Sequence, residues 1–303
     1  MSAPRTGTFG LYKAFKMLGY RPYHMAEVCD NGVPHTKIFQ EAIKSTNPFY
    51  ASTATKPYGR AEFDKWFAGY DVSSVNPCYF IRALFTPITR TIVLTMCSRR
   101  LLAPAQVIIE IPSFLLDAIY QAYGNEPDVK FLLTERDPDA WVRSVTSGPA
   151  ELLVALDTPG PLGLSRHFDA FNDEFFNLAS LMYESMAEGM GPKDPGAQAA
   201  LRRHYVKYIA KAKATAPSGK LHVIKLEEGL DWESICPFLG CEVPSESYPR
   251  GNDRGEFKQI MGVYMAPGIN KAVMGVSAVV VPLIGLGAWA LVKYGPFLMK
   301  KTT

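Results

Sequence analysis

The segment from Ala3 to Thr8, with the sequence Ala-Pro-Arg-Thr-Gly-Thr, has the composition of a turn that binds a phosphate or sulfate group. Gly7 permits the backbone angles of a tight turn, and Thr8 can cap the helix that follows or bond an anion oxygen. A helix N-terminus offers unpaired N–H groups and the positive end of a dipole, to which Arg5 adds a fixed charge. The segment is not the ATPase P-loop, because it lacks that motif's first glycine and its lysine. The alternative to an anion-binding turn is an ordinary capped helix after a disordered start.

Arg136 and Ser144 form a second candidate anion site. The apolar run Val129–Thr134 predicts a strand, and Asp137 followed by Pro138 predicts the start of a helix. Arg136 then lies at the carboxyl end of the strand and Ser144 lies two turns into the helix. A guanidinium and a hydroxyl in those positions can converge on one phosphate. The alternative is a surface ion pair with a solvated serine.

Strands and helices alternate along the part of the chain that must position these residues. Leu11, Phe15 and Leu18 recur at helical spacing directly after the turn. Strand-like runs lie at Val107–Ile111, Val129–Thr134 and Leu221–Leu226. Helical stretches lie at Ser113–Tyr123, Pro138–Ser147, Arg166–Glu188 and Gly196–Ala214. This alternation predicts an α/β fold with a central, mostly parallel sheet, in which ligands bind at the carboxyl ends of strands.

Composition argues against a nucleic-acid-binding protein, a disulfide-bonded protein and a metal-binding protein. The chain has 303 residues, enough for one large core or two modest ones, and its net charge of +3 is too balanced to indicate nucleic-acid binding. Its five cysteines are odd in number and include no CxxC pair, which favours free thiols in a reducing compartment. No cluster of histidine and cysteine has the spacing of metal ligands, so we expect no metal.

The C-terminal part contains an uncharged run of 21 residues, Ala272–Val292. This run is long enough to cross a bilayer as a helix, and Lys271 and Lys293 bracket it. Trp289 and Tyr294 suit a membrane interface. The sequence therefore predicts a single-pass C-terminal membrane anchor at 272–292, with the globular part in the cytosol. The alternative is a buried core helix.

Taken in order, the motifs resemble the sulfotransferases of the P-loop fold, in their fungal and plant-type branch. The motifs that carry the resemblance are Ala3–Thr8, Leu18-Gly-Tyr20 with Tyr23-His-Met25, Phe63–Asp71, Glu110-Ile-Pro112, Leu133–Pro138 with Trp141 and Ser144, and Pro237–Gly240 leading to Pro249–Asp253. The resemblance implies a three-layer P-loop-like α/β fold. It also implies transfer of a sulfuryl group from 3′-phosphoadenosine 5′-phosphosulfate to a hydroxyl or amine of a small-molecule acceptor.

The resemblance also implies roles for particular residues. Four residues of the turn would cradle the 5′-phosphosulfate: Arg5, Thr6, Gly7 and Thr8. Arg136 and Ser144 would hold the 3′-phosphate. Glu110 stands where the family usually has an aspartate before a proline, and is the candidate general base. His24 is the rival base, and Glu110 is alternatively a structural acceptor for backbone N–H groups. This picture requires no metal.

Two departures from the family bear on what the chain can do. The family carries an apolar strand before the turn, so we expect the first strand of the sheet to be missing here. Residues 72–106 form an atypical insertion, which we interpret as a translated retained intron; the alternative is a genuine lid loop. We predict a sulfotransferase-like domain at 1–262 and a membrane tail at 263–303. The alternative function is a non-catalytic or degenerate P-loop-like protein anchored to a membrane.

Overall fold

The computed structural model describes residues 1–47, 50, 58–67, 107–249 and 254–299. The predicted insertion at 72–106 lies outside these residues. The first helices are Thr8–Met17 (α1), Met25–Asp30 (α2), Val33–Thr46 (α3), Arg60–Trp66 (α4) and Leu116–Tyr123 (α5). The later helices are Pro138–Val145 (α6), Glu151–Leu156 (α7), Pro161–Ser165 (α8), Ala170–Met186 (α9), Ala197–Ala214 (α10), Trp232–Leu239 (α11) and Arg254–Met299 (α12). Short 3₁₀ turns span Ile111–Phe114 and Leu226–Glu228, and a π-helical turn spans Thr146–Ala150.

Two parallel strands, Phe131–Glu135 (β1) and Leu221–Lys225 (β2), form the sheet in the described part of the chain. Phe131 pairs with Leu221, and the register continues to the pair Glu135 and Lys225. Two parallel strands need a crossover connection, and helices α6 to α10 supply it. The predicted α/β class with a parallel sheet is therefore confirmed.

The predicted strand at Val107–Ile111 is wrong as a regular strand. This segment makes a single parallel bridge, between Ile108 and Tyr23. Glu110 then takes a left-handed φ of 71°, and Pro112, which has no N–H to give to a ladder, lies in the 3₁₀ turn that follows. The chain turns away after Ile109, so apolar alternation here marks a short extended segment.

Residues 1–4 lie beside β1 without forming a regular strand. The Met1 amine donates to the carbonyl oxygen of Leu132 at 2.7 Å, and the Thr134 N–H donates to Ser2 Oγ at 2.9 Å. Met1, Ser2 and Ala3 are all buried. The turn that begins at Ala3 is thus fixed to the end of β1 by contacts on the preceding residues.

The main hydrophobic core joins β1 to the helices that pack around it. Its largest fully buried side chain is Trp141 of α6, which stacks on Tyr205 of α10 with ring centroids 4.4 Å apart and 15° between the planes. Truncating a buried tryptophan of this kind costs about 3–5 kcal/mol. This stack holds α6 and α10 together behind the carboxyl end of β1.

Helix α12 begins within the domain and continues beyond it. Met261, Met265 and Ala272 are buried against the domain, whereas every residue from Val276 to Trp289 is exposed. The segment Gly255–Lys293 is the one helix among the described residues that is long and apolar enough to cross a membrane, with a mean hydropathy of 2.1 in its apolar window. The predicted boundary at residue 262 falls inside this helix.

Candidate functional site

The turn before α1 has an open helix N-terminus. Arg5 and Gly7 both have positive φ, at 68° and 81°, and this reversal aims the chain into α1 at Thr8. The N-cap Gly7 provides no side-chain cap, and no acidic residue lies in the first helical turn. The first N–H groups of a helix have no partner within it. The turn therefore offers several N–H groups and a positive dipole end to an anion.

Buried hydrogen bonds hold the turn rigid. Thr6 Oγ1 donates to the carbonyl oxygen of Ala3 at 2.7 Å and lies 2.8 Å from Thr134 Oγ1. Trp141 Nε1 donates to the carbonyl oxygen of Pro4 at 2.7 Å. The Thr6 hydroxyl is thus engaged within the turn, and Thr6 is fully buried, so any contribution of this residue to anion binding must come from its backbone N–H.

The two predicted anion-binding parts lie together. Arg136 Nη1 donates to the carbonyl oxygen of Arg5 at 3.0 Å, and Arg5 Nε donates to Ser144 Oγ at 3.1 Å. The Arg136 N–H donates to the Tyr205 hydroxyl at 2.9 Å, which fixes the backbone from which the guanidinium extends. Arg136 forms no ion pair with any residue that the structure describes. A half-buried guanidinium without a counter-ion is a ready partner for a phosphate.

The bridge between Tyr23 and Ile108 places His24 beside Glu110. The Tyr23 N–H donates to the carbonyl oxygen of Val107 at 2.8 Å, and the Ile109 N–H donates to that of Tyr23 at 2.8 Å. Since the two segments run in parallel, the residues that follow them lie at the same end. The same feature that is too short to be a strand therefore brings the two candidate bases together.

Glu110 and His24 form a buried pair next to the turn. Their atoms Oε2 and Nε2 are 2.7 Å apart, and Thr8 Oγ1 donates to the same Oε2 at 3.4 Å. Only 9% of Glu110 and 5% of His24 is exposed. The Nε2 contact is short without being aligned as a hydrogen bond, and within the described ranges this nitrogen has no directed partner. Thr8 thus links the carboxylate to the turn before α1.

The hydrogen bond at the other ring nitrogen distinguishes the two candidate bases. His24 Nδ1 accepts the Ala26 N–H at 3.1 Å and so caps α2. A neutral imidazole whose Nδ1 accepts must carry its proton on Nε2, so it has no free lone pair for a substrate. Glu110 Oε1, in contrast, has no hydrogen-bond partner in the described part of the chain. The geometry therefore allows Glu110 to take a proton while His24 orients it.

Comparison with known proteins identifies the family of the chain. A family model described as "Sulfotransferase domain" matches residues 1–257, most of the chain. The chain belongs to the sulfotransferase family. It is similar to the "Ava biosynthesis cluster protein M" of Aspergillus versicolor, with 24% identity over 247 residues that cover 81% of this chain and 76% of that protein.

Membership of the sulfotransferase family implies a P-loop-like fold and indicates a transferase. The contacts around the turn can therefore be compared with the site residues that the resemblance to this family predicts. The eight predicted site residues come from three distant parts of the sequence and lie in one connected set of contacts: Arg5, Thr6, Gly7, Thr8, His24, Glu110, Arg136 and Ser144. The role of each one remains a prediction.

Sequence reasoning missed two aromatic residues of this candidate site. Phe257, near the start of α12, lies 5.4 Å below the guanidinium carbon of Arg5, and Tyr205 receives the Arg136 N–H. An aromatic face can hold a guanidinium by a cation–π contact. Neither residue stands out in the sequence, because each lies more than 60 positions from its partner.

A cavity of about 210 Å³ lies away from this network. It is formed by α7, α9 and the segment after α9, and none of the predicted site residues lines it. The residues that line it are Leu153, Val154, Asp157, Phe176, Ser180, Tyr183, Glu184 and residues 191–194. The chemistry-bearing side chains of this family member therefore converge elsewhere. No group of three or more His, Cys, Asp or Glu side chains able to hold a metal ion is found within the described ranges.

Proposed function

We propose that this chain transfers a sulfuryl group from 3′-phosphoadenosine 5′-phosphosulfate to a hydroxyl or amine of a small-molecule acceptor. The observation that carries the proposal is the contact between the turn and the second anion site. Arg136 reaches the carbonyl oxygen of Arg5 at 3.0 Å, and Arg5 reaches Ser144 at 3.1 Å. A donor with two separate phosphate-bearing ends needs two anion sites held at a fixed separation.

The residues present fit such a donor. The N-terminus of α1, with Gly7, Thr8 and the backbone of Thr6, suits the 5′ end, where the sulfuryl group leaves. Arg136 and Ser144 suit the 3′-phosphate, because a guanidinium forms bidentate hydrogen bonds to phosphate oxygens. When bound, the donor supplies the activated sulfuryl group. The protein supplies positioning and positive charge, which dominate catalysis of the related phosphoryl transfer.

Glu110 is the proposed general base in this reaction. Its Oε1 would accept the proton of the acceptor hydroxyl or amine as the acceptor oxygen or nitrogen bonds to sulfur. The bond between sulfur and the bridging 5′-phosphate oxygen breaks in the same transfer, and 3′-phosphoadenosine 5′-phosphate leaves with that bond's electron pair. His24 is a positioning residue, since its Nε2 lies 2.7 Å from Glu110 Oε2. The left-handed φ of 71° at Glu110 supports this role, because strained backbone persists where the surroundings hold a side chain in place for function.

We also propose that α12 anchors the protein in a membrane by a single pass, with the domain in the cytosol. The segment Gly255–Lys293 is long and apolar enough to span a bilayer. The described cysteines Cys29, Cys236 and Cys241 are free thiols, which suits a reducing compartment. Protease added to sealed membrane vesicles whose cytosolic face is on the outside should digest the domain. Protection of the domain would place it on the other side.

Binding of 3′-phosphoadenosine 5′-phosphate to the full chain tests the donor site. Arg136→Ala should weaken binding by about 10- to 100-fold, because hydrogen bonds to charged groups contribute about 1.5–3 kcal/mol. Arg143→Ala, on the exposed face of the same helix α6, is the matched control and should bind as the parent does. Equal affinity in both variants would reject the proposed site. Tight binding without any transfer would favour the non-catalytic alternative.

A further inference from the structure

Helix α12 packs on the domain along one stripe and leaves the domain at Gly275. Glycines on this stripe let the helix backbone lie against side chains of the domain. A Cβ on Gly268 would lie 2.2 Å from Asn172 Nδ2, and a Cβ on Gly275 would lie 2.4 Å from the Phe168 ring. The helix backbone therefore touches Phe168 directly, whereas every residue from Val276 to Trp289 is exposed.

Polar contacts also fix the position of α12 along its axis relative to the domain, near Gly268 and Gly275. Asn172 Nδ2 donates to the carbonyl oxygen of Met265 at 3.2 Å, and Lys271 Nζ donates to Asp169 Oδ2 at 2.6 Å. Burial raises the pKa of Asp169, but the hydrogen bonds from Lys271 and from two backbone N–H groups outweigh burial and hold that pKa below its usual value. Phe168 and Gly275 thus keep one fixed relative position.

The segment that meets the helix here exposes apolar side chains. We define residues 161–169, which include α8 and the turn before α9, as the α8 corner. Leu164 is 40% exposed and Phe168 is 42% exposed, although both are large apolar residues. Exposed apolar groups gathered beside a membrane-crossing helix are typical of a surface that lies in the membrane interface.

The exposed part of α12 is too short to span a bilayer unless the bilayer also reaches the α8 corner. From Val276 to Val292 the helix rises about 26 Å, which is less than the hydrocarbon thickness of about 30 Å. From Ala272 to Val292 it rises about 32 Å. A bilayer of ordinary thickness therefore reaches the level of Gly275, where Phe168 lies against the helix.

We propose that the α8 corner is a second membrane-contact surface, with Leu164 and Phe168 in the interfacial layer of the bilayer that α12 crosses. This inference rests on the proposed membrane anchor. Two contacts with the bilayer prevent the domain from swinging about the helix. Phe257, which lies beside Arg5 in the candidate site, precedes Gly275 by about 27 Å of helix, on the side away from the apolar segment. We therefore expect the site to stay in water at a fixed distance from the bilayer, so that an acceptor reaches it from the aqueous side.

Tryptophan scanning in reconstituted vesicles tests the α8 corner. The full chain is prepared with Trp289→Phe, which leaves the described tryptophans Trp66, Trp141 and Trp232 buried in the domain. Phe168→Trp and Leu164→Trp are then added separately. Val206→Trp, at a position of α10 that is 44% exposed, is the matched control. Emission is compared in phosphatidylcholine vesicles with and without acyl chains brominated near the headgroup.

Both corner variants should lose roughly half of the added tryptophan emission in brominated vesicles, because an indole at the interface lies within reach of those bromines. The Val206→Trp variant should show no such loss. In the parent chain, quenching of Trp289 by brominated lipid reports separately whether α12 enters the bilayer. Unquenched corner variants with a quenched Trp289 would overturn the second contact alone. An unquenched Trp289 would overturn the membrane anchor and the second contact with it.

Discussion

Gly7→Ala should cost more free energy in donor binding than in the stability of the fold. Gly7 has a φ of 81°, in the left-handed region where an alanine is strained by about 1–2 kcal/mol. A new Cβ would lie 3.0 Å from Leu230 Cδ2 and 3.1 Å from Leu226 Cδ1. Both atoms are ends of flexible side chains and can move by a few tenths of an ångström.

The loss of stability should be small for this variant. Replacing glycine by alanine lowers the entropy of the unfolded chain, which stabilises the protein by about 0.4–1 kcal/mol and offsets part of the strain. The free energy of unfolding should therefore fall by about 1 kcal/mol. Gly19 has the similar φ of 84° and nothing within 4 Å of its would-be Cβ, so Gly19→Ala is a matched control with equal backbone strain.

The two variants should differ in their affinity for 3′-phosphoadenosine 5′-phosphate. If Gly7→Ala relieves its strain by rotating φ, the N–H groups at the start of α1 turn away from the anion. Losing one charged hydrogen bond costs about 1.5–3 kcal/mol, or roughly 10- to 100-fold in affinity. Titration calorimetry measures this affinity, and thermal unfolding measures the stability. If Gly7→Ala binds as tightly as Gly19→Ala, the turn does not hold the donor.

Three further substitutions test other parts of the structure. His24→Asn keeps a side chain that caps α2 and should retain about 1 kcal/mol of stability that His24→Ala loses, as thermal unfolding will measure; equal melting of both would contradict the capping role. Burial lowers the pKa of His204 from 6.5 to about 4. As the pH falls from 6.5 to 4, this histidine takes up a proton in the unfolded chain but not in the folded one, so the free energy of unfolding falls by up to about 3 kcal/mol. His204→Gln should remove this decrease, as denaturant titrations across that pH range will measure. If the free energy of unfolding of the variant falls with pH as it does in the parent, the role of His204 is refuted. Gly275→Leu should separate α12 from Phe168 and speed proteolysis of the α8 corner, whereas Gly285→Leu, with open space around it, should not; similar proteolysis of both would argue against the docked helix.

Local sequence patterns predicted much of the site because they act over a few residues. Asp137 followed by Pro138 predicted the start of α6, and in the structure Asp137 accepts the Ala140 N–H as the helix cap. The glycine in the turn predicted the positive φ that the structure has at Gly7. Such signals are readable because the residue and its effect are neighbours in the chain.

Long-range contacts could not be predicted in this way. Val107–Ile111 has the apolar pattern of a strand, yet the left-handed Glu110 and the following Pro112 end the segment after one bridge. Phe257 lies below Arg5 only because α12 packs across the turn. Packing of this kind depends on the whole fold and leaves no period or spacing in the sequence.

The boundary of the predicted membrane helix shows the same limit. The uncharged run begins at Ala272, and charge alone predicts that the bilayer begins there. The structure shows that Ala272 is buried against the domain and that Gly275 touches Phe168. Hydropathy measures which residues are apolar, but it does not distinguish lipid from protein as the surrounding medium.

A crystal structure of the full chain with bound 3′-phosphoadenosine 5′-phosphate would test the central claim most directly. We predict that the 5′-phosphate lies at the N-terminus of α1, within hydrogen-bond distance of the Gly7 and Thr8 N–H groups. The 3′-phosphate should lie between Arg136 and Ser144. A nucleotide bound with both phosphates away from these residues, for example in the cavity beside Tyr183, would contradict the proposed site.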